Sequence, residues 1–268
     1  MKTNISYSAL RGLATKRSYR LFLAGLIVSA VCSCNFLERK PWDSVDTTNG
    51  FLTEADAIAA VNACYQPLQW PKLYNMRIWT LDIIAGESVV GAGGGTDGLE
   101  TVEMANFIAT SDNFAALDLW RGPSPGILRC NFVLANVPQM DIDSDIKARL
   151  LGEARFLRAH YYFILVRLFG GVPMPTEPLT ADSELKMPRA SEDEVYALII
   201  EDLKQAISLL PTRSKYGSKD IGRATKEAAM AELARVYLTY QPSTATYNEV
   251  VRLCTEIGDM GYQLAPNY

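Results

Sequence analysis

The stretch Ser144–Phe169 constrains this chain more than any other. Leu151, Ala154, Leu157, Tyr161, Leu165 and Leu168 recur at steps of three and four, so one face of a long helix is apolar. Gly170-Gly171 ends the pattern and Pro173 prevents its resumption. A helix of that length with a single apolar stripe needs other helices to cover it.

The rest of the sequence supplies them. Thr53-x-x-Asp56 resembles a capping box ahead of Ile58, Val61, Tyr65 and Leu68. A second helix is expected over 73–85, and the glycines of 86–99 break all periodicity and predict a loop. Residues 112–137 read as helical at both ends, with a break at Gly122-Pro123-Ser124-Pro125-Gly126. Ser191-x-x-Glu194 is a full capping box that opens a helix running to Leu210, before Pro211. Residues 212–222 read as a polar loop, Thr225 caps a helix carrying Ala229, Leu233, Val236 and Tyr237, and a last helix is expected over 247–260. Strand signals are nearly absent. The fold class is therefore all-α, built of paired helices, and Leu233-Ala234-x-x-Tyr237 matches part of the tetratricopeptide pattern.

The amino terminus is of a different kind. Lys2, Arg11, Lys16, Arg17 and Arg20 precede an apolar run over 21–31, and the first acid is Glu38. The run, about eleven residues, is too short to span a bilayer as a helix and fits a secretory signal peptide over 1–33. Ser33-Cys34 at its end points to lipidation of Cys34, although Val31 stands where the usual Leu would be; ordinary signal-peptidase cleavage is the alternative. Residues 34–50 are polar and turn-rich and read as a lipidated tether, leaving 51–268 as the helical domain.

Several function classes fall away. Five of the 26 Lys and Arg lie in the leader, which leaves 21 against 30 Asp and Glu, so nucleic acid is not an expected partner. One histidine, His160, with no CxxC or HExxH, gives no basis for zinc, and no cofactor is implied. The glycines before Leu99 lack the Lys-Ser/Thr of a phosphate cradle. Cys64, Cys130 and Cys254 each fall in an apolar helical pattern and read as small buried hydrophobes; one disulfide is open to an exported chain, but its pairing is not readable. His160 lies within a helical pattern and reads as structural, so no catalytic constellation emerges.

Aromatic residues beside polar ones are the candidates for binding. A sugar offers an apolar C–H face to a ring and its hydroxyls to polar neighbours, which singles out Trp70, Tyr74, Asn75, Arg77 and Asp97 as ligand-binding residues. The competing expectation makes Tyr74 and Trp79 core residues of the second helix; Trp120, with Leu117, reads as core.

Cys34-Asn35-Phe36-Leu37-Glu38, Phe51-Leu52-Thr53-Glu54-Ala55-Asp56, Arg129-Cys130-Asn131, Gly152-Glu153-Ala154-Arg155-Phe156-Leu157-Arg158-Ala159, Arg167-Leu168-Phe169-Gly170-Gly171-Val172-Pro173, Ile200-Glu201-Asp202-Leu203 and Gly222-Arg223-Ala224-Thr225-Lys226 follow one another along the chain. In this order they resemble the SusD/RagB family of outer-membrane nutrient-binding lipoproteins. The resemblance implies tetratricopeptide-like helix pairs in a right-handed α-α superhelix with irregular loops. It also implies capture, without cleavage, of an oligosaccharide or peptide at the outer face of the outer membrane. The implied partner is a TonB-dependent, SusC-like transporter. A tetratricopeptide-type envelope adaptor without a small ligand is the alternative. The chain departs from the family pattern at the proline-bearing break of 122–126. Family members are also roughly twice as long, so the chain is expected to be the amino-terminal half of a longer relative, with an apolar face left open.

Overall fold

The computed structural model describes residues 50–91, 98–179, 183, 184 and 186–266. The leader, Cys34 and most of the tether, like Asp97, lie outside the described residues. In order come α1 (Glu54–Tyr65), α2 (Trp79–Ile84), α3 (Leu99–Ala105), α4 (Phe114–Arg121), α5 (Ser124–Asn136), α6 (Ser144–Phe169), α7 (Glu192–Leu209), α8 (Lys226–Thr239) and α9 (Thr244–Asp259). Among the described residues there is no strand, only one isolated bridge between Pro173 and Arg189. The fold is all-α, as expected.

Helix α6 is the spine. It packs on α5 and α7, α7 packs on α8, α8 on α9, and α1 closes over α5 and α6. Its carboxy-terminal half is buried on every side, from Tyr161 and Tyr162 through Val166, so the apolar stripe read from the sequence understates its burial. The residues after α6 explain its double glycine. A Cβ on Gly171 would sit 2.1 Å from the carbonyl oxygen of Ala190, and Gly170 has φ +68°. That close approach lets the Ala190 amide donate to Val172 (3.0 Å), while the Arg189 guanidinium donates to the carbonyls of Phe169 and Gly171. A cation therefore caps the negative end of the helix.

Both capping boxes formed as read, Thr53 with Asp56 and Ser191 with Glu194. A third, Ser243 with Thr246, starts α9 at Thr244, earlier than its apolar pattern suggests. The break after α4 is shallower than two prolines suggest. Gly122 and Pro123 keep right-handed helical angles, and Pro125 falls in the first turn of α5, where a missing N–H costs nothing. The glycines serve contact: a Cβ on Gly126 would lie 2.2 Å from the Tyr161 ring, and one on Gly122 would lie 2.9 Å from Leu73.

Two readings need correction. The helix expected over 73–85 is mostly turns, and only Trp79–Ile84 is helical. Cys254 is exposed, while Cys64 and Cys130 are buried. In each case a tertiary contact, or its lack, overrode local pattern.

Candidate functional site

The sequence motifs around α6 form two buried charge networks. Asp202 of α7 is fully buried and accepts from Arg158 in fork geometry, Nε to Oδ2 at 2.7 Å and Nη2 to Oδ1 at 2.9 Å, with Arg155 adding a third bond at 2.8 Å. Arg158 also donates to Asn131 Oδ1 at 2.9 Å, and the Asn131 amide donates to the carbonyls of Pro175 and Glu177. The connection after Pro173 is thereby bound to the spine. In the second network buried Glu153 accepts from the Tyr65 hydroxyl at 2.8 Å and from Arg223 at 3.1 Å, and the Tyr65 oxygen in turn accepts from the Ala224 amide. Burial pushes the Glu153 carboxyl up, against the pull of these donors. These residues hold helices together; none is free to meet a ligand.

The segment after α1 differs. Trp70 is half-buried with the Arg129 guanidinium 5.5 Å from its ring centroid, while Tyr74 and Asn75 are exposed. Arg77 is buried and committed, its Nε to Asp118 of α4 and its Nη1 to Glu100 of α3, both at 2.9 Å. The guanidinium singled out as a candidate ligand contact ties this segment to α3 and α4. Asn113 adds to the tie: its side chain caps α4 and donates to the Glu100 carbonyl and the Glu103 carboxylate, each at 2.9 Å.

Several large apolar side chains on these joined elements face solvent. Trp79 is 59% exposed, which corrects its reading as core, and Trp120 is partly exposed against the edge of Phe169. Phe107, which the sequence reading passed over, is 80% exposed with φ +58°. It ends α3: its amide donates to Met104, and that of Ile108 donates to Glu103. This is the left-handed position that helix ends normally give to glycine. An aromatic there carries backbone strain while its ring meets water. The sequence signal was the absence of glycine after a short helix, legible only once the helix is known.

Tyr74 is held by a relay. Its hydroxyl lies 2.7 Å from His160 Nε2, and His160 Nδ1 lies 3.0 Å from Glu232 of α8. The Tyr74 and His160 rings are 20° from parallel with centroids 5.9 Å apart, the arrangement of an in-plane hydrogen bond more than of face-to-face stacking. Burial pushes the Glu232 carboxyl up, but the bond to His160 and the charges of His160, Arg235 and Arg167 outweigh this and hold it below its ordinary value. Burial and the Glu232 charge raise the Tyr74 hydroxyl, so the relay fixes a ring and does not make a nucleophile.

A separate cleft of about 520 Å³ lies between α5, α6 and the following connection, lined by Trp120, Pro125, Leu128, Leu165, Pro175 and Met187. Its lining is largely apolar, the polar members being Ser124, Lys186 and the already bonded amide of Asn131. Among the described residues no group of three metal-ligating side chains gathers, and no helix is long and apolar enough to cross a membrane.

A family model described as starch-binding, associating with outer membrane, matches residues 35–238. The chain belongs to the SusD-like family. Within that family, SusD-like protein P2 of Formosa agariphila is 29% identical over 83% of this chain and 43% of its own length. A SusD-like protein of Bacteroides ovatus is 29% identical over 79% of this chain and 37% of its own. Among solved structures, surface glycan-binding protein A of Bacteroides thetaiotaomicron in complex with laminarihexaose matches with TM-score 0.68 and 26% identity, over 80% of this chain and 45% of that one. A laminarin-binding SusD-like protein matches with TM-score 0.69 and 27% identity, over 81% and 48%. The chain thus spans about half the length of the SusD-like relatives it matches.

Proposed function

We propose that this SusD-like chain captures an oligosaccharide at the cell surface, anchored by lipid on Cys34, and passes it to a TonB-dependent transporter. The observation that carries the reading is the segment joined by Arg77, on which Tyr74, Trp79 and Phe107 meet solvent while their backbone is held by partly buried ion pairs. Rigid rings exposed to water suit the apolar faces of sugars, because little conformational freedom is lost when they bind. Family membership and the glycan ligands named for the structural relatives support the same class. Asn75, exposed beside Tyr74, supplies the proposed polar fringe, with half-buried Trp70 nearby; Asp97, outside the described residues, is a candidate from the sequence alone. Arg77 acts as the brace of this surface. Nothing in the arrangement calls for bond cleavage: the fixed hydroxyl of Tyr74 is the wrong nucleophile, and the carboxylates nearest to it are engaged.

The test is calorimetric titration with laminarihexaose and with a starch-derived maltooligosaccharide of equal length. Binding of either that is lost in Tyr74→Ala or Trp79→Ala supports the reading. Absence of binding to these and to a broad glycan array would remove it. Globomycin-sensitive processing and acylation at Cys34 would test the anchor, and co-purification of a transporter barrel from outer membranes would test the partner.

A further inference from the structure

The relay at Tyr74 dictates more than where the ring sits. Glu232 pairs through Oε2 with Arg235 at 3.1 Å, while its Oε1 faces His160 Nδ1 at 3.0 Å. A carboxylate paired in this way is ionised and can only accept, so His160 Nδ1 carries a proton. A neutral imidazole has one N–H, which leaves Nε2 bare, an acceptor 2.7 Å from the Tyr74 oxygen. The hydroxyl proton of Tyr74 is therefore spent on Nε2, and only its lone pairs are left for anything outside.

Nothing in the protein uses those lone pairs. Tyr74 is exposed, and among the described residues no other donor reaches its oxygen. The charged groups that face the relay are Glu232 and Arg235 from α8 and Arg167 from α6. Arg235 is held by Glu232, and Arg167 donates from Nε to the Phe163 carbonyl at 3.2 Å with its guanidinium 4.4 Å from the Phe163 ring centroid. Phe156 and Tyr161 border the imidazole with their rings and bring no charge.

We infer, on the glycan reading of this surface, that His160 and Glu232 make Tyr74 a pure hydrogen-bond acceptor toward the ligand, so the glycan must offer a free hydroxyl there. A sugar hydroxyl can donate to Tyr74. An ether, a sulfate ester or a carboxylate at the same place has only lone pairs, and set against those of Tyr74 it leaves both sides unsatisfied. His160 and Glu232 act through Tyr74 and are positioning residues. Acid reverses the polarity: when solvent protonates His160, both ring nitrogens donate, the Tyr74 oxygen accepts from Nε2–H, and its own proton turns outward. An acceptor-only group then finds a donor at the place that refused it.

The chain has one histidine, so its ring can be read in the full-length protein without ambiguity. Long-range proton–nitrogen NMR spectra of isotope-labelled chain are expected to show the neutral ring protonated on Nδ1. A neutral ring protonated on Nε2 overturns the inference, whatever the chain binds. Calorimetric titration then uses laminarihexaose and maltohexaose, each also in fully sulfated form, above and below the pH at which the His160 signals titrate. Above it, Tyr74→Phe is expected to weaken a neutral hexaose about 2–10-fold, as one hydrogen bond is lost, and to leave its sulfated form unaffected. Below it, the sulfated form gains affinity, and the gain is smaller in Tyr74→Phe. Neutral binding that is unchanged in Tyr74→Phe but lost in Trp79→Ala overturns the inference and leaves the glycan reading standing. So does a sulfated form that Tyr74→Phe weakens above that pH, since Tyr74 would then be donating. No binding of either hexaose or of a broad glycan array removes the glycan reading, and the inference with it.

Discussion

The spine and the segment from Trp70 to Arg121 use the same materials to opposite ends. Around α6, charged and aromatic side chains turn inward: Asp202, Glu153 and Arg158 are buried, and Tyr161 and Tyr162 are sealed. In the segment the charges again turn inward, with Arg77 between Glu100 and Asp118, but the rings turn out. One arrangement fixes helices to each other. The other fixes a backbone so that its rings can be offered to something else. A buried ion pair is poor evidence of net stability, since desolvation offsets its attraction, but it is strong evidence of a geometry that tolerates no partial loss.

Breaking the spine should have the larger effect. Asp202→Ala leaves Arg158 buried without a counter-charge and is expected to cost about 3–5 kcal/mol in urea unfolding. Replacing Arg158 and Asp202 together with Leu should cost distinctly less than Asp202→Ala alone; an equal or greater loss would contradict the account of the pair.

In the segment, Arg77→Ala should lower stability by about 2–3 kcal/mol, because Glu100 and Asp118 lose a shared cation. Any loss of sugar binding should follow from that loosening. A variant that keeps its unfolding midpoint yet loses binding would return Arg77 to direct ligand contact. Phe107→Gly should move the other way, raising stability by about 1 kcal/mol as left-handed strain is relieved, while weakening glycan binding. A rise in midpoint with binding unchanged would take Phe107 out of the site.

The smallest expected effect separates the regions by pH. The Glu232 carboxyl, lower in the fold than its ordinary 4.5, binds its proton more readily in the unfolded chain. Its stabilisation is therefore complete above that ordinary value and fades as pH falls through the folded value. Glu232→Gln should flatten this acid limb of a stability-against-pH curve and free the Tyr74 ring. Glu153, raised by burial, has the opposite sign: what it contributes is fullest at low pH and declines as pH rises through its folded value. An unchanged acid limb in Glu232→Gln would exclude the relay as a source of stability.

Much of this was written locally. The capping boxes at Thr53 and Ser191, the Gly170-Gly171 stop and the long period of α6 all act within a few residues, so they could be read one after another. The candidate site was legible only in part. Trp70, Tyr74 and Asn75 stand at or near the surface, but the ion pairs of Arg77 were not readable because its partners are 23 and 41 positions away. Trp79 and Trp120 were mistaken for core because helical spacing says which residues share a face, and never whether anything covers that face.

The sequence alone determined helix content, most helix ends and the family, since these depend on local periodicity, caps and motif order. Only the tertiary structure decided which motif residues are structural and which surface is open. Whether Arg158 meets Asp202, Gly126 admits the Tyr161 ring, or Phe107 is left in water depends on where distant helices come to rest. Burial and ion pairing are properties of that arrangement, and no stretch of chain carries them by itself.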